Sequence, residues 1–382
     1  MRILFLQKVD NAKGGIANVN ENLMKYFLSQ NYQVDVLSLR HGNTWEEVSY
    51  PQGVNRYLIN DCTVWGCPRL NKMLEEVKCG HLGKACRMLI QRRSYKRQLS
   101  RDYEKCQKEI ERLQPDVIIN SHYELLDGIS ESYLKKTIMH FHTSFGQVLA
   151  NRSYVKTFRK YHSRIHTFVW LTEQTKKEAV SFGLGNSKCI YNPISFSEAR
   201  SADLKKKKIV FIGRLSEEKR IQLAIEYFRE VVQENQLDDW MFEIYGSGPL
   251  AEKITEEIKN DKQILYKGQT EQVNEVLLES SLLLLTSAFE GMPLVVLEAN
   301  ECGVPALIYD FGESSREVVI DGVTGIIVPQ DDKELFKANL KKMMCETECR
   351  EKYGSACKEF AKNFALETIG KKWIELFEEM EK

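Results

Sequence analysis

Two glutamates, Glu290 and Glu298, stand with seven residues between them in the stretch Thr-Ser-Ala-Phe-Glu-Gly-Met-Pro-Leu-Val-Val-Leu-Glu-Ala-Asn-Glu-Cys-Gly, residues 286–303. The apolar run Leu282 to Leu285 precedes them and is short enough to be a buried strand. Pro293 suits the first turn of a helix, where a missing N–H costs nothing. Gly303 closes that helix, and Pro305 prevents its return. Glu290 therefore falls in the loop ahead of the helix and Glu298 on the helix itself. At about 1.5 Å of rise per residue, Glu298 lies roughly 10 Å along the axis from Gly291. That is about the span from a sugar, across a diphosphate, to a ribose. The N–H groups of the helix start, over Met292 to Val295, would face an anion placed between the two acids.

Other chemistry-bearing residues follow predicted strands in the same way. Gly213, Arg214 and Lys219 come after Ile209–Ile212. Arginine offers phosphate a planar fork of donors, and lysine a movable point charge. Gly246-Ser247-Gly248-Pro249 comes after Trp240–Tyr245 and, with Ala251, fits the dinucleotide fingerprint G-x-G-x-x-A. The acid expected some twenty positions on is missing, since Leu265, Tyr266 and Lys267 stand there. Gly268, Gln269 and Thr270 follow Ile264–Tyr266. In the first half, Asn11, Lys13, Gly14 and Gly15 follow a strand over 2–7, before Ile16, Val19, Leu23 and Phe27 recur at helical spacing. His122 follows Val117–Asn120, and Thr137–Phe141 ends in His140-Phe141-His142-Thr143-Ser144. Open α/β sheets bind ligands at the carboxyl ends of their strands. The β–loop–α–β opening predicts such a parallel, doubly wound sheet.

The pattern S-x-x-E-G-x-P-L-x-x-L-E-A, over Ser287 to Ala299, resembles the retaining glycosyltransferases of family 4. Their fold is GT-B, two Rossmann-like α/β domains with doubly wound parallel sheets facing across a cleft. Gly213 to Lys219 resembles the family's G-R-L-x-x-x-K-G, with Arg220 in place of the last glycine. Phe141-His142-Thr143-Ser144 is similar to the F-H-T-S stretch of phosphatidylinositol mannosyltransferases, and Cys189 to Ile194 to the N-P-I turn that closes the first domain. The resemblance implies transfer of a sugar, with retained configuration, from a nucleotide-sugar to a glycan or lipid-linked acceptor in bacterial polysaccharide or glycoconjugate biosynthesis. A UDP-sugar is the expected donor. Catalytic roles fall to Glu290, His142, Arg214 and Lys219. The donor would lie against Gly15, Gly213, Arg214, Lys219, Gly246, Gly268, Thr270, Glu290, Gly291, Met292, Pro293, Leu294 and Glu298. Among these, Arg214 and Lys219 would grip the diphosphate, Glu298 the ribose and Glu290 the transferred sugar. His140 would stand behind His142. A non-catalytic sugar-nucleotide-binding subunit and a sugar-nucleotide epimerase on the same fold remain as alternatives.

The elements that must position these residues fill 382 residues, enough for two domains. The expected division is 1–198 for the acceptor and 199–365 for the donor, with a final helix over 366–382 packing back on the first domain. Formal net charge is zero, so nothing in the bulk charge points to nucleic acid. There is no D-x-D triplet to carry a metal-bound diphosphate and no C-x-x-C pair for zinc, so no metal or cofactor is expected. Ten cysteines without a signal peptide suggest reduced thiols in the cytoplasm. Residues 84–105 carry eight cations against Asp102 and Glu104, with apolar residues interleaved. Such a helix suits an anionic membrane surface, which would make the protein peripheral on the inner face of a membrane. A solvated helix face with ion pairs is the other expectation.

Overall fold

The computed structural model describes residues 1–10, 15–41, 50–63 and 70–381. Asn11, Lys13 and Gly14 lie outside the described residues. The first sheet is built from β1 (Arg2–Val9), β2 (Gln33–His41), β3 (Asn55–Thr63), β4 (Val117–Asn120), β5 (Thr137–His140), β6 (Thr167–Trp170) and β7 (Ser187–Cys189). The second holds β8 (Lys208–Ile212), β9 (Met241–Tyr245), β10 (Ile264–Gly268), β11 (Leu282–Leu285), β12 (Ala306–Tyr309) and β13 (Gly325–Val328). Their orders are β3-β2-β1-β4-β5-β6-β7 and β10-β9-β8-β11-β12-β13, and every strand pair is parallel. This is the GT-B architecture.

Parallel sheets are covered on both faces, which is why their strands read as unbroken apolar runs. In β1, Ile3 and Phe5 join the core cluster on one face while Leu4 and Leu6 join that on the other. Strand order reverses beside β1 in the first sheet and beside β8 in the second. The carboxyl ends of β1, β4, β8 and β11 therefore border the crevices where ligands of such sheets sit.

The helix Leu366–Glu381 returns to the first domain. Its Phe377 ring lies 5.2 Å from Phe27, on the helix Gly15–Ser29. A methyl group at Gly370 would come within 2.2 Å of the Tyr26 ring, so only glycine permits this approach. The basic stretch forms part of a 32-residue helix, Leu82–Leu113. Asp102 turns inward, where Arg40 Nη2 donates to it at 2.8 Å and Asn60 Nδ2 at 3.0 Å. The outer face keeps its cations, and Leu82 and Ile90 are exposed beside them. No helix among the described residues is long and apolar enough to cross a membrane. Strand β3 carries no signal in the sequence. Its residues, Asn-Arg-Tyr-Leu-Ile-Asn-Asp-Cys-Thr, are those of a polar sheet edge, where burial on one side imposes little pattern.

Candidate active site

Backbone contacts build the C-terminal wall of the cleft. After β8, Gly213 N donates to Tyr245 O at 3.0 Å and Leu215 N to Ser247 O at 2.8 Å, which ties this loop to the one after β9. Gly246 has φ +138°, and a methyl group there would sit 1.8 Å from Gly213 O. At Gly248 it would sit 2.3 Å from Leu215 O. These glycines let two backbones touch, a duty distinct from contacting a ligand. Gly268 O accepts from Gly246 N at 2.8 Å, which adds the end of β10 to the cluster. The Thr270 hydroxyl accepts from Gln272 N at 3.0 Å and so closes its own turn.

The turn at Glu217–Lys219 ends in Arg220 at φ +47°, the left-handed conformation that a glycine would take freely. The local path survives the substitution. Arg220 Nη1 donates to Asp331 Oδ1 at 2.7 Å and to Gln330 Oε1 at 3.1 Å, which offsets the cost. Two bonds then pin the loop after β11 to this turn, from Thr286 Oγ1 to Arg220 O at 2.8 Å and from Ala288 N to Glu218 O at 2.8 Å. The outcome is an ion pair between Lys219 Nζ and Glu290 Oε1, with side chains 18% and 11% exposed. Ser287 Oγ also donates to Glu290 Oε1, at 2.7 Å. Arg214 is exposed and has no ion-pair partner among the described residues.

Glu298 is on the helix Leu294–Glu301, with Pro293 as its N-cap, and is only 8% exposed. Burial pushes its carboxyl pKa up, and the Ser195 hydroxyl, donating to it, opposes that shift. Ser195 O in turn accepts from Asn22 Nδ2 of the first domain at 3.4 Å.

The first domain meets this wall at two places. A methyl group at Gly291 would come within 2.9 Å of the His142 carbonyl oxygen, and one at Gly15 within 3.6 Å of the Leu294 side chain. Met292 is buried below. His142 Nε2 lies 3.4 Å from Ser121 Oγ, and its ring centroid is 4.1 Å from that of His140. Burial, with the neighbouring His122 imidazole as the lesser cause, depresses the His142 pKa to about 3. His140 is 1% exposed, edges against Trp373 at 5.1 Å, and has no hydrogen-bond partner among the described residues at either ring nitrogen. Burial holds it neutral too.

Glu290, Lys219, Gly291 and His142 thus converge where the two domains touch. Glu298 and Gly15 lie along the same contact, and Arg214 faces solvent. Sequence reasoning missed Ser195 and Ser287 as partners of the two acids. Ser287 stands inside the S-x-x-E pattern, whereas nothing local marks Ser195. Among the described residues, no three His, Cys, Asp or Glu side chains are grouped to hold a metal.

Two family profiles divide the chain. Glycosyltransferase Family 4 matches residues 13–198, and Glycosyl transferases group 1 matches residues 195–360. An exopolysaccharide phosphotransferase of Streptomyces coelicolor is 30% identical over 223 residues, which is 56% of this chain and 24% of that protein. The amylovoran biosynthesis glycosyltransferase AmsD of Erwinia amylovora is 24% identical over 219 residues, 54% of this chain and 61% of that one. The matches therefore span less than two thirds of either relative's own length. A TarM variant of S. aureus, crystallised with fondaparinux, α-GlcNAc-glycerol and UDP, shares the fold with a TM-score of 0.74. That match covers 99% of this chain and 100% of TarM, at 15% identity.

Proposed function

Because this chain belongs to the family 4, group 1 glycosyltransferases of GT-B fold, we propose that it moves a sugar from a UDP-sugar to a glycan or lipid-linked acceptor in bacterial polysaccharide biosynthesis, retaining the anomeric configuration. UDP bound to the TarM variant supports the donor class. The relatives named for exopolysaccharide and amylovoran support the pathway class. The observation that carries the mechanism is the Lys219–Glu290 pair, steadied by Ser287, beside a Gly291 that abuts the His142 carbonyl.

Cleavage of the bond from the anomeric carbon to the donor phosphate leaves an extra negative charge on the diphosphate. Lys219 and the unpaired Arg214 neutralise it, a preorganised electrostatic task that calls for no divalent ion. In the resting site Lys219 lies on Glu290. An arriving diphosphate draws the ammonium away and frees Glu290 for the sugar hydroxyls and the positive ring. Glu298, already desolvated, exchanges Ser195 for the ribose. With its pKa near 3, His142 is neutral and orients the acceptor by hydrogen bonding. The acceptor's proton goes to the departing phosphate on the same face of the sugar.

The test is donor hydrolysis without acceptor across a panel of UDP- and GDP-sugars. Glu290→Gln is expected to lower the rate by about 10²–10³, the cost of removing one such stabilising group, with UDP affinity held within a few fold. A protein that captures no activated sugar would end this reading. EDTA is expected to leave the rate unchanged. The helix Leu82–Leu113, with Arg93, Arg97 and Arg101 on its exposed face, would rest on anionic lipid. Co-sedimentation with phosphatidylglycerol vesicles, weakened by Arg93→Glu/Arg97→Glu, tests that part.

A further inference from the structure

The two short helices that follow His142, Phe145–Ala150 and Arg152–Tyr161, line a cavity of about 360 Å³ together with none of the residues described above. Its walls are Leu149, Arg152, Val155, Lys156 and Arg159. The volume is within the range of small-molecule sites. Arg152, Lys156 and Arg159 recur at four and three residues, so they share one helix face. All three are exposed, and none has an ion-pair partner among the described residues.

Their neighbours differ. On the same helix Lys160 Nζ is 2.5 Å from Asp127, and just beyond it Arg164 is 2.5 Å from Glu131. Asp127, whose carboxyl Lys156 also helps hold below its usual range, is already bonded by Lys160 and Tyr161. The three cations in the cavity thus stand beside a neutralised acid. Like charges one helical turn apart destabilise a helix. Arg152 adds to this by occupying the first turn, at the positive end of the helix dipole, and the first turn contains no acid. Asn151 already caps that end by accepting from Ser153 N at 2.9 Å. An anion in the cavity would relieve all of these repulsions together, and two arginines offer the planar forks that phosphate oxygens accept.

We propose that this cavity is a phosphate subsite on the acceptor side, which holds a phosphate or diphosphate group of the acceptor while its hydroxyl reaches the site at His142. Leu149 and Val155 supply the apolar wall for the carbon chain or sugar ring attached to that phosphate. The assignment to the acceptor rests on the proposed glycosyl transfer. The phosphate binding itself does not.

The experiment is calorimetric titration of Arg214→Ala/Lys219→Ala protein, which lacks the donor-side cations. One arm uses inorganic pyrophosphate, standing for a lipid diphosphate. The other uses a short glycerol-phosphate oligomer, standing for a phosphodiester polymer. At least one is expected to bind one to one, with affinity falling as salt rises. Adding Arg152→Ala and Arg159→Ala is expected to weaken it tenfold or more, while Lys341→Ala/Lys342→Ala, on an unrelated exposed helix face, leaves it unchanged. The tighter arm identifies the source of the phosphate. The proposal is overturned if neither probe binds, if removal of Arg152 and Arg159 has no effect, or if Lys341→Ala/Lys342→Ala weakens binding as much. Binding of UDP to the wild-type chain is measured separately, and its failure would sink the glycosyltransferase reading while leaving the anion site standing.

Discussion

The two sides of the cleft are built differently. On the C-terminal side the loops after β8, β9, β10 and β11 are joined by backbone hydrogen bonds, glycines allow main chains to touch, and Lys219 already has its carboxylate. On the N-terminal side the functional groups are side chains with few partners. Among the described residues, His140 has no partner at its ring nitrogens, His142 has one long contact to Ser121, and Arg152, Lys156 and Arg159 have no ion-pair partner. Under the proposed glycosyl transfer, the contrast would suit a rigid mould for a nucleotide diphosphate facing a surface for a larger and more variable acceptor. Rigidity comes from main-chain contacts, which depend on the absence of side chains at Gly246 and Gly248. Adaptability comes from unpaired side chains on short helices.

Four changes would break or sharpen that contrast. The largest effect is expected from Gly246→Ala. Its methyl group would overlap Gly213 O in a left-handed backbone, so a loss of about 3–5 kcal/mol in urea unfolding is expected, together with UDP binding. An ordinary midpoint would mean that the loops are not packed this closely.

Next comes acidification. His122, His140 and His142 are all held neutral by burial, with folded pKa values below the ordinary 6.5. The unfolded chain then binds more protons below that pH, so these groups contribute stability that is fully present above about 6.5 and is lost as pH falls from there towards their folded pKa values. Each group costs up to about 1.4 kcal/mol per pH unit in that window. His140→Leu should flatten the slope of unfolding free energy between pH 4 and 6.5, and an unchanged slope would remove His140 from the account.

Glu298→Gln is expected to act in the opposite sense. A carboxyl with a raised pKa loses stabilisation as pH rises from its ordinary value through its folded one, so the amide should make the apo protein slightly more stable at neutral pH, by less than about 1 kcal/mol. The same variant should lose affinity for UDP. A gain in UDP affinity would exclude Glu298 from the ribose subsite. The smallest change is Gly146→Ala in the helix Phe145–Ala150, where a methyl group meets nothing within 4 Å. It should stabilise the chain by about 0.5–1 kcal/mol without changing activity, in contrast to Gly246→Ala.

The sequence by itself determined where strands end and which residues follow them. Apolar runs such as Leu282 to Leu285 specify buried parallel strands, and the glycines of 213, 246, 248 and 291 mark the turns beyond, because backbone geometry is read from near neighbours. Through its resemblance to the family it also supplied Glu290, Glu298, Arg214, Lys219 and His142 as a candidate set. Only the tertiary structure decided that Lys219 rests on Glu290, that Gly291 abuts the His142 carbonyl, that Glu298 is buried against Ser195, and that β3 exists at a polar edge. Spacing along a chain constrains contacts within one element. Contacts between distant elements depend on sheet order and on how two domains meet, which no local pattern records.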